Sequence, residues 1–232
     1  MFEDIRIVIE IASAIISFIL VWFMAKPYNM TREGRYLGLP LGFSFLGIGS
    51  VISAIATAIP GYFQSQLAWL QLLPRTFAFL FLAITYYFSK KPSRKSRFIW
   101  DSAISLLLLS LLSLVLLLVI NPQFATMDSY FNFAFYFRAF NLICLFYISI
   151  HTLYNHTKTL ETSTIVIPFG FILMGISQYS IMIFSIDRSL FAFWGTIVLR
   201  FASFAAFLYV SCKAFHCINK QVVSDEKETS QR

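Results

Sequence analysis

Residues 28–47 read YNMTREGRYLGLPLGFSFLG, and residues 154–175 read YNHTKTLETSTIVIPFGFILMG. Tyr28, Asn29 and Thr31 match Tyr154, Asn155 and Thr157. Pro40, Gly42, Phe43 and Gly47 match Pro168, Gly170, Phe171 and Gly175. Each copy predicts a helix ending at Tyr-Asn, a polar gap, and a second helix beginning at Pro. The repeated unit is therefore a helix–loop–helix junction. Working outward from the two junctions divides the chain into two similar halves.

The flanking sequence is apolar in blocks of roughly 20 residues, the length that spans a bilayer core as a helix. The chain has 232 residues, 58% of them hydrophobic and only 12% charged, with mean hydropathy +0.73. A soluble domain carries about twice that charge. Seven segments are predicted: Ile5–Ala25, Leu37–Pro60, Leu67–Phe88, Phe98–Ile120, Tyr130–His151, Thr164–Ile186 and Leu190–Phe215. All are expected to be helices, because a backbone in lipid must satisfy its hydrogen bonds within the segment. The fold class is an all-α, seven-helix membrane domain over residues 1–217, followed by a polar tail, 218–232, expected to be disordered. The acidic start, MFEDIR, lacks the basic region of a signal peptide, so the first block is read as a retained helix.

Lysine and arginine placement sets the expected orientation. Lys26, Arg32 and Arg35 follow helix 1. Lys90, Lys91, Arg94, Lys95 and Arg97 follow helix 3. Lys158 follows helix 5, and Lys213, Lys220, Lys227 and Arg232 follow the core of helix 7. The opposite side has only Arg6 and Arg188. The positive-inside rule puts the N-terminus outside and the C-terminus in the cytoplasm of a cell-membrane protein. The basic excess is thus a topology signal and no sign of nucleic-acid binding. The sequons at Asn29 and Asn155 face the cytoplasm on this reading, so Asn and Thr there are assigned to helix ends.

The remaining basic residues, Arg75, Arg138 and Arg200, lie inside helices. Arg75 in LLPRTFAF and Arg200 in IVLRFASF occupy similar places in helices 3 and 7, which extends the repeat. Helices 1–3 then match helices 5–7, with helix 4, rich in Leu and Ser, as a lipid-facing linker. An odd linker leaves both halves in the same direction, a parallel repeat about the membrane normal. Gly38 and Gly42 form a G-x-x-x-G spacing suited to a close helix seam.

An arginine inside a membrane is costly and marks a functional-site hypothesis. At about 1.5 Å per residue, Arg75 is expected roughly 12 Å below the outer start of its helix, with Arg138 at similar depth and Arg200 slightly deeper. Glu10 is the one carboxylate at a comparable level. Gln71, Asn132, Asn141 and Gln178 add hydrogen-bonding capacity from the same half. The candidate ligand-binding set is Arg75, Arg138, Arg200, Glu10, Gln178 and Asn141, for an anion such as a carboxylate, a phosphate or a lipid head group. Arg75 and Arg200 are expected to face each other, with Arg138 and Glu10 on the rim. The alternative is snorkelling or internal pairing, with Glu10 neutralising one arginine.

Enzyme chemistry finds no pattern, and no catalytic residue, metal site or cofactor is assigned. His151, His156 and His216 lie at the cytoplasmic edge without metal-ligand spacing, and Cys144, Cys212 and Cys217 give no disulfide framework. Helix 7 has no mid-depth lysine for a retinal Schiff base. Trp22, Trp69, Trp100 and Trp194 fall near helix ends, where interfacial belts form.

The stretch Ile52–Lys90, ISAIATAIPGYFQSQLAWLQLLPRTFAFLFLAITYYFSK, resembles the helix 2–3 region of seven-helix sensor modules found ahead of histidine kinases. It shares their short outer loop, Trp-led helix 3, mid-helix Pro and inner Tyr. The resemblance covers about a sixth of the chain, and no kinase domain follows helix 7. The 3+1+3 plan, with Pro27, Pro40 and Pro168 at cytoplasmic helix ends, is similar to SWEET-type sugar transporters. That family's fourth proline and prolyl-glutamine motif are missing here, and its central polar positions fall on Arg75 and Arg200. Sensing is the first reading, because below the arginines only Ser50, Ser53 and Ser177 offer mid-depth hydroxyls for a transport route. The resemblance then implies signalling through a cytoplasmic protein partner. A transporter and an accessory subunit of a larger complex are the alternatives.

Overall fold

The computed structural model describes residues 2–31, 37–59, 64–88, 94–121, 127–159, 165–187 and 189–229. Seven helices carry them: α1 (Phe2–Thr31), α2 (Gly38–Ala58), α3 (Gln64–Phe88), α4 (Arg94–Ile120), α5 (Met127–Thr159), α6 (Val166–Asp187) and α7 (Leu190–Thr229). Each contains a window long and apolar enough to cross a membrane. The chain is an integral membrane protein.

Helices α1, α2, α3, α5, α6 and α7 form a closed ring in that order, with α7 returning to α1. The largest buried cluster draws on all six: Leu20, Phe43, Phe79, Leu145, Phe171 and Phe204 stand for one helix each. α4 lies outside the ring against α3, in a second cluster seeded by Trp69, Phe77, Trp100 and Ile104. Only 17% of its span is buried, the least of the seven. That fits the outward-facing span its Leu-Ser composition predicts.

The two seams of α2 with α3 and of α6 with α7 are set by small residues. A Cβ on Gly42 would stand 2.7 Å from Leu82 Cγ and 3.3 Å from the Ala78 carbonyl. A Cβ on Gly38 would strike the Thr85 hydroxyl, and one on Gly49 would lie 2.8 Å from Arg75 Cγ and 3.4 Å from the Gln71 carbonyl. Across the ring, a Cβ on Gly170 would lie 2.9 Å from Phe207 Cε1. Ser203 Oγ donates to the Gly170 carbonyl at 2.8 Å, and Ser177 Oγ donates to the Thr196 carbonyl at 2.9 Å. Between apolar helices in lipid, such close packing and interhelical bonding supply the attraction that the hydrophobic effect does not. Several other buried hydroxyls bond back along their own helices, as Thr85 does to Phe81 and Thr152 to Ile148.

Several boundaries differ from the sequence reading. α1 continues through Tyr28 and Asn29 to Thr31, and α5 through Tyr154 and Asn155 to Thr159. The Tyr-Asn pairs therefore lie within last turns. Thr157 Oγ1, donating to the Tyr154 carbonyl at 2.8 Å, helps hold that turn. The side chains of Asn29 and Thr31, for which an end-capping role was expected, lie outside the described residues. Pro40 and Pro168 both fall in the first turn of a helix, two residues after its start, where a missing N–H leaves no bond unmade. α7 runs to Thr229, where a disordered tail was expected from Ile218. The segment INKQVVSDEKET has no Pro or Gly, and extending an existing helix avoids the nucleation step. The aromatic belt is only half present: Trp22 is 66% exposed and Trp194 50%, but Trp69 and Trp100 are buried against α4 and its neighbours.

Candidate functional site

Glu10 stands on α1 at 4% exposure, with its carboxylate between α3 and α7. Oε2 accepts from Arg75 Nη2 at 2.7 Å, and Oε1 accepts from Arg200 Nη1 at 3.2 Å. One carboxylate thus joins three helices and both halves of the chain. The expected geometry differs from this. Arg75 and Arg200 do converge, but Glu10 lies between them and not on the rim. The reason is electrostatic: two guanidiniums in a low-dielectric interior repel, and a shared carboxylate offsets both desolvation penalties.

Local sequence positions each member. Pro74 precedes Arg75 inside α3 and removes the bond that its N–H would make to the Leu70 carbonyl, the usual origin of a helix kink. Gly49 lets the Arg75 stem lie against α2, because a Cβ there would meet it. Arg200 follows a turn anchored by Thr196, whose hydroxyl bonds the Ala192 carbonyl at 2.9 Å.

Arg138 on α5 lies within electrostatic reach of Tyr130, two turns earlier on its own helix, and of Arg75 and Arg6. Arg6 also acts on Arg200. Neither Tyr130 nor Arg6 belongs to the sequence-derived set. Arg6 was read there only as an external charge, although it stands one turn before Glu10 and so shares its face. On the same side of the chain α1 carries Glu3, Asp4 and Glu10, while the two buried guanidiniums of Arg75 and Arg200 share the single Glu10 carboxylate.

Among the described residues, Ser13 Oγ, Ser53 Oγ, Gln71 Oε1 and Asn141 Oδ1 are buried without a hydrogen-bond partner. Each lies one helical turn from Glu10, Gly49, Arg75 or Arg138 respectively. Buried polar groups are ordinarily satisfied, so these four are exceptions, as are the ring N–H groups of Trp69 and Trp100 elsewhere in the bundle. Gln178 is half-buried on α6, and no hydrogen bond joins it to the cluster. The side chain of Asn132 lies outside the described residues.

No family model, curated protein or solved structure matches this chain. Among the described residues, no group of three His, Cys, Asp or Glu is placed to hold a metal ion.

Proposed function

We propose that this chain is a sensor module of the cell membrane that binds a small anion in its outer half and signals through a cytoplasmic partner. The observation that carries the reading is the division of the Glu10 carboxylate between Arg75 and Arg200. An internal carboxylate already occupies the place that a ligand carboxylate, phosphate or lipid head group would take. An incoming anion competes for Arg200, the longer of the two contacts, and so acts on the α1–α7 seam that closes the ring. A ligand shifts an equilibrium only through differential contacts with the two states, and exchange of Glu10 for ligand supplies such a difference. Two guanidiniums on one carboxylate leave a local positive charge that favours the anion, and the unpaired Gln71 and Asn141 oxygens offer acceptors for its hydroxyl or amino groups. The proposed orientation has the N-terminus outside, which places this cluster in the outer half and α7 as the arm reaching into the cytoplasm.

The matched seams favour a 3+1+3 repeat within this reading. Pro40, Gly42 and Gly49 are spaced as Pro168, Gly170 and Ser177 are. Arg75 and Leu82 are spaced as Arg200 and Phe207 are. Under that register, Gly42 against Leu82 corresponds to Gly170 against Phe207. The Gly49 approach to the Gln71 carbonyl corresponds to the Ser177 bond to the Thr196 carbonyl. The same regularity supports a second reading, a small 3+1+3 transporter held in a closed state. Against it, Phe43, Phe79, Phe171, Leu145 and Met174 fill the ring beyond the arginines. Reconstitution into liposomes with radiolabelled acetate, phosphate and glycerol phosphate separates the two. Saturable binding without uptake, lost in Arg200→Gln, is the expected result. Uptake establishes the transporter, and neither binding nor uptake overturns both readings in favour of an accessory subunit.

A further inference from the structure

Glu10 serves the α3 and α7 sides of the cluster, through Arg75 and Arg200. The α5 side carries Arg138. Among the described residues, no carboxylate is paired with it.

The packing of α3 on α5 sets the level of Arg138. Trp69 on α3 meets the rings of Tyr130, Phe133 and Phe137 on α5, and Tyr86 meets that of His151. The two helices therefore run the same way, and on this register Arg75 falls level with the turn that holds Arg138 and Asn141. The buried residues of α5 set the direction of that turn. Ala134, Asn141, Leu145 and Ile148 recur at helical spacing, and all are buried. Arg138 stands one turn after Ala134 and one turn before Asn141, so it belongs to the same face. It is only partly exposed.

The charges that act on Arg138 include those of Arg75 and Arg6, both of its own sign, and the Tyr130 hydroxyl acts on it as well. A neutral phenol can accept from one guanidinium N–H but cannot offset the charge. Asn141 is 2% exposed, and its Oδ1 has no hydrogen-bond partner. The α5 side of the cluster thus holds a cation without a counter-charge, one turn from an acceptor without a donor. A buried charge is costly unless an opposite charge meets it. For Arg75 and Arg200 that counter-charge is internal. For Arg138 it has to come from a ligand.

We propose that the ligand of the anion site is a compact dianion, with one carboxylate in the place of Glu10 between Arg75 and Arg200 and a second on Arg138. The proposal rests on the reading of this cluster as an anion site and adds the class of anion. A monoanion fills the first position and leaves Arg138 as it was. A short dicarboxylate fills both, and a hydroxyl or amino group between its carboxylates has Asn141 Oδ1 as an acceptor.

The test is isothermal titration of the full chain in nanodiscs, at constant ionic strength and above the second ionisation of the diacids. Malonate, succinate and glutarate are each compared with their half-amides, which keep the shape and remove one charge. The best-fitting diacid should bind about ten- to a hundredfold tighter than its half-amide, the range for one added charge-assisted contact. Arg138→Gln should bring the diacid down to the affinity of the half-amide, and Arg138→Lys, which keeps the charge, should retain a preference. Arg200→Gln should weaken diacid and half-amide together. Half-amide binding that is lost in Arg200→Gln, with no diacid preference in the parent chain, overturns the dianion and leaves the anion site standing. A preference that survives Arg138→Gln overturns the assignment to Arg138. Absence of binding by every acid overturns the anion site and this proposal with it. If Arg138→Gln does not fold, the comparison of diacid with half-amide in the parent chain decides, and equal affinities overturn the proposal.

Discussion

Replacing Glu10 with Gln keeps the side-chain shape and removes the charge that two arginines share. In the parent chain the two contacts are 2.7 and 3.2 Å, and the Glu10 side chain is 5% exposed. Charge centres in such contacts lie about 4 Å apart, and at an effective dielectric constant near 20 each attraction is about 4 kcal/mol, or about 8 kcal/mol gross for the pair. Desolvation of the ions returns several kcal/mol, which leaves the roughly 3–5 kcal/mol that breaking a buried pair costs. Arg75→Gln acts differently. It removes one charged hydrogen bond, worth about 1.5–3 kcal/mol, and leaves Glu10 paired with Arg200. The expected order of destabilisation is therefore Glu10→Gln beyond either Arg75→Gln or Arg200→Gln. The double variant Glu10→Gln/Arg75→Gln should lose less than the sum, by about 0.5–3 kcal/mol, because the second change removes a charge that the first left uncompensated. Tryptophan-fluorescence unfolding in one lipid and one salt concentration measures all four chains. A Glu10→Gln loss below about 1 kcal/mol, or below that of Arg75→Gln, refutes a carboxylate shared between two arginines.

Two further outcomes test the framework around the site. Gly42→Ala should destabilise by about 1–3 kcal/mol, because its Cβ would press on buried Leu82 at 2.7 Å. Gly175→Ala, whose nearest neighbour is 3.9 Å away, should be neutral or gain up to about 1 kcal/mol from helix propensity; equal effects would remove the packing argument for the seam. For orientation, single cysteines at 61–66, 121–129 and 187–189 should react with an impermeant reagent added outside, in a chain freed of Cys144, Cys212 and Cys217. External reaction within 90–97 would reverse the proposed topology.

The spans were legible in the sequence because a bilayer imposes one length and one composition on every crossing segment. The G-x-x-x-G seam was legible too, since Gly38 and Gly42 announce a close approach without naming the partner. What the sequence left open is tertiary in origin. Glu10 was visible as a lone carboxylate at arginine depth, but its place between Arg75 and Arg200 depends on α7 returning to α1, which no local pattern encodes. Trp69 and Trp100 carry the same belt signal as Trp22 and Trp194. Only the docking of α4 on α3 turns the first two inward. Tyr130 gave no signal apart from lying two turns from Arg138.

Closure of the ring between its first and last helices has a consequence for how the protein is made. Glu10 meets Arg75 across 65 residues of chain but meets Arg200 across 190. At roughly 5–20 residues per second, a ribosome needs about 10–40 s to make that longer stretch. Once α3 has been made, and for the rest of that interval, α1 and α3 are available to each other and their opposite charges can pair. Arg200 arrives last, in a helix that must carry a guanidinium into lipid at a penalty of about 2.5–3.5 kcal/mol on insertion scales. The acceptor for that charge has been waiting in the bilayer since the start of synthesis. The earliest helix thus serves as the template on which the final one is recognised, and loss of Glu10 should show itself first as failed biogenesis of α7.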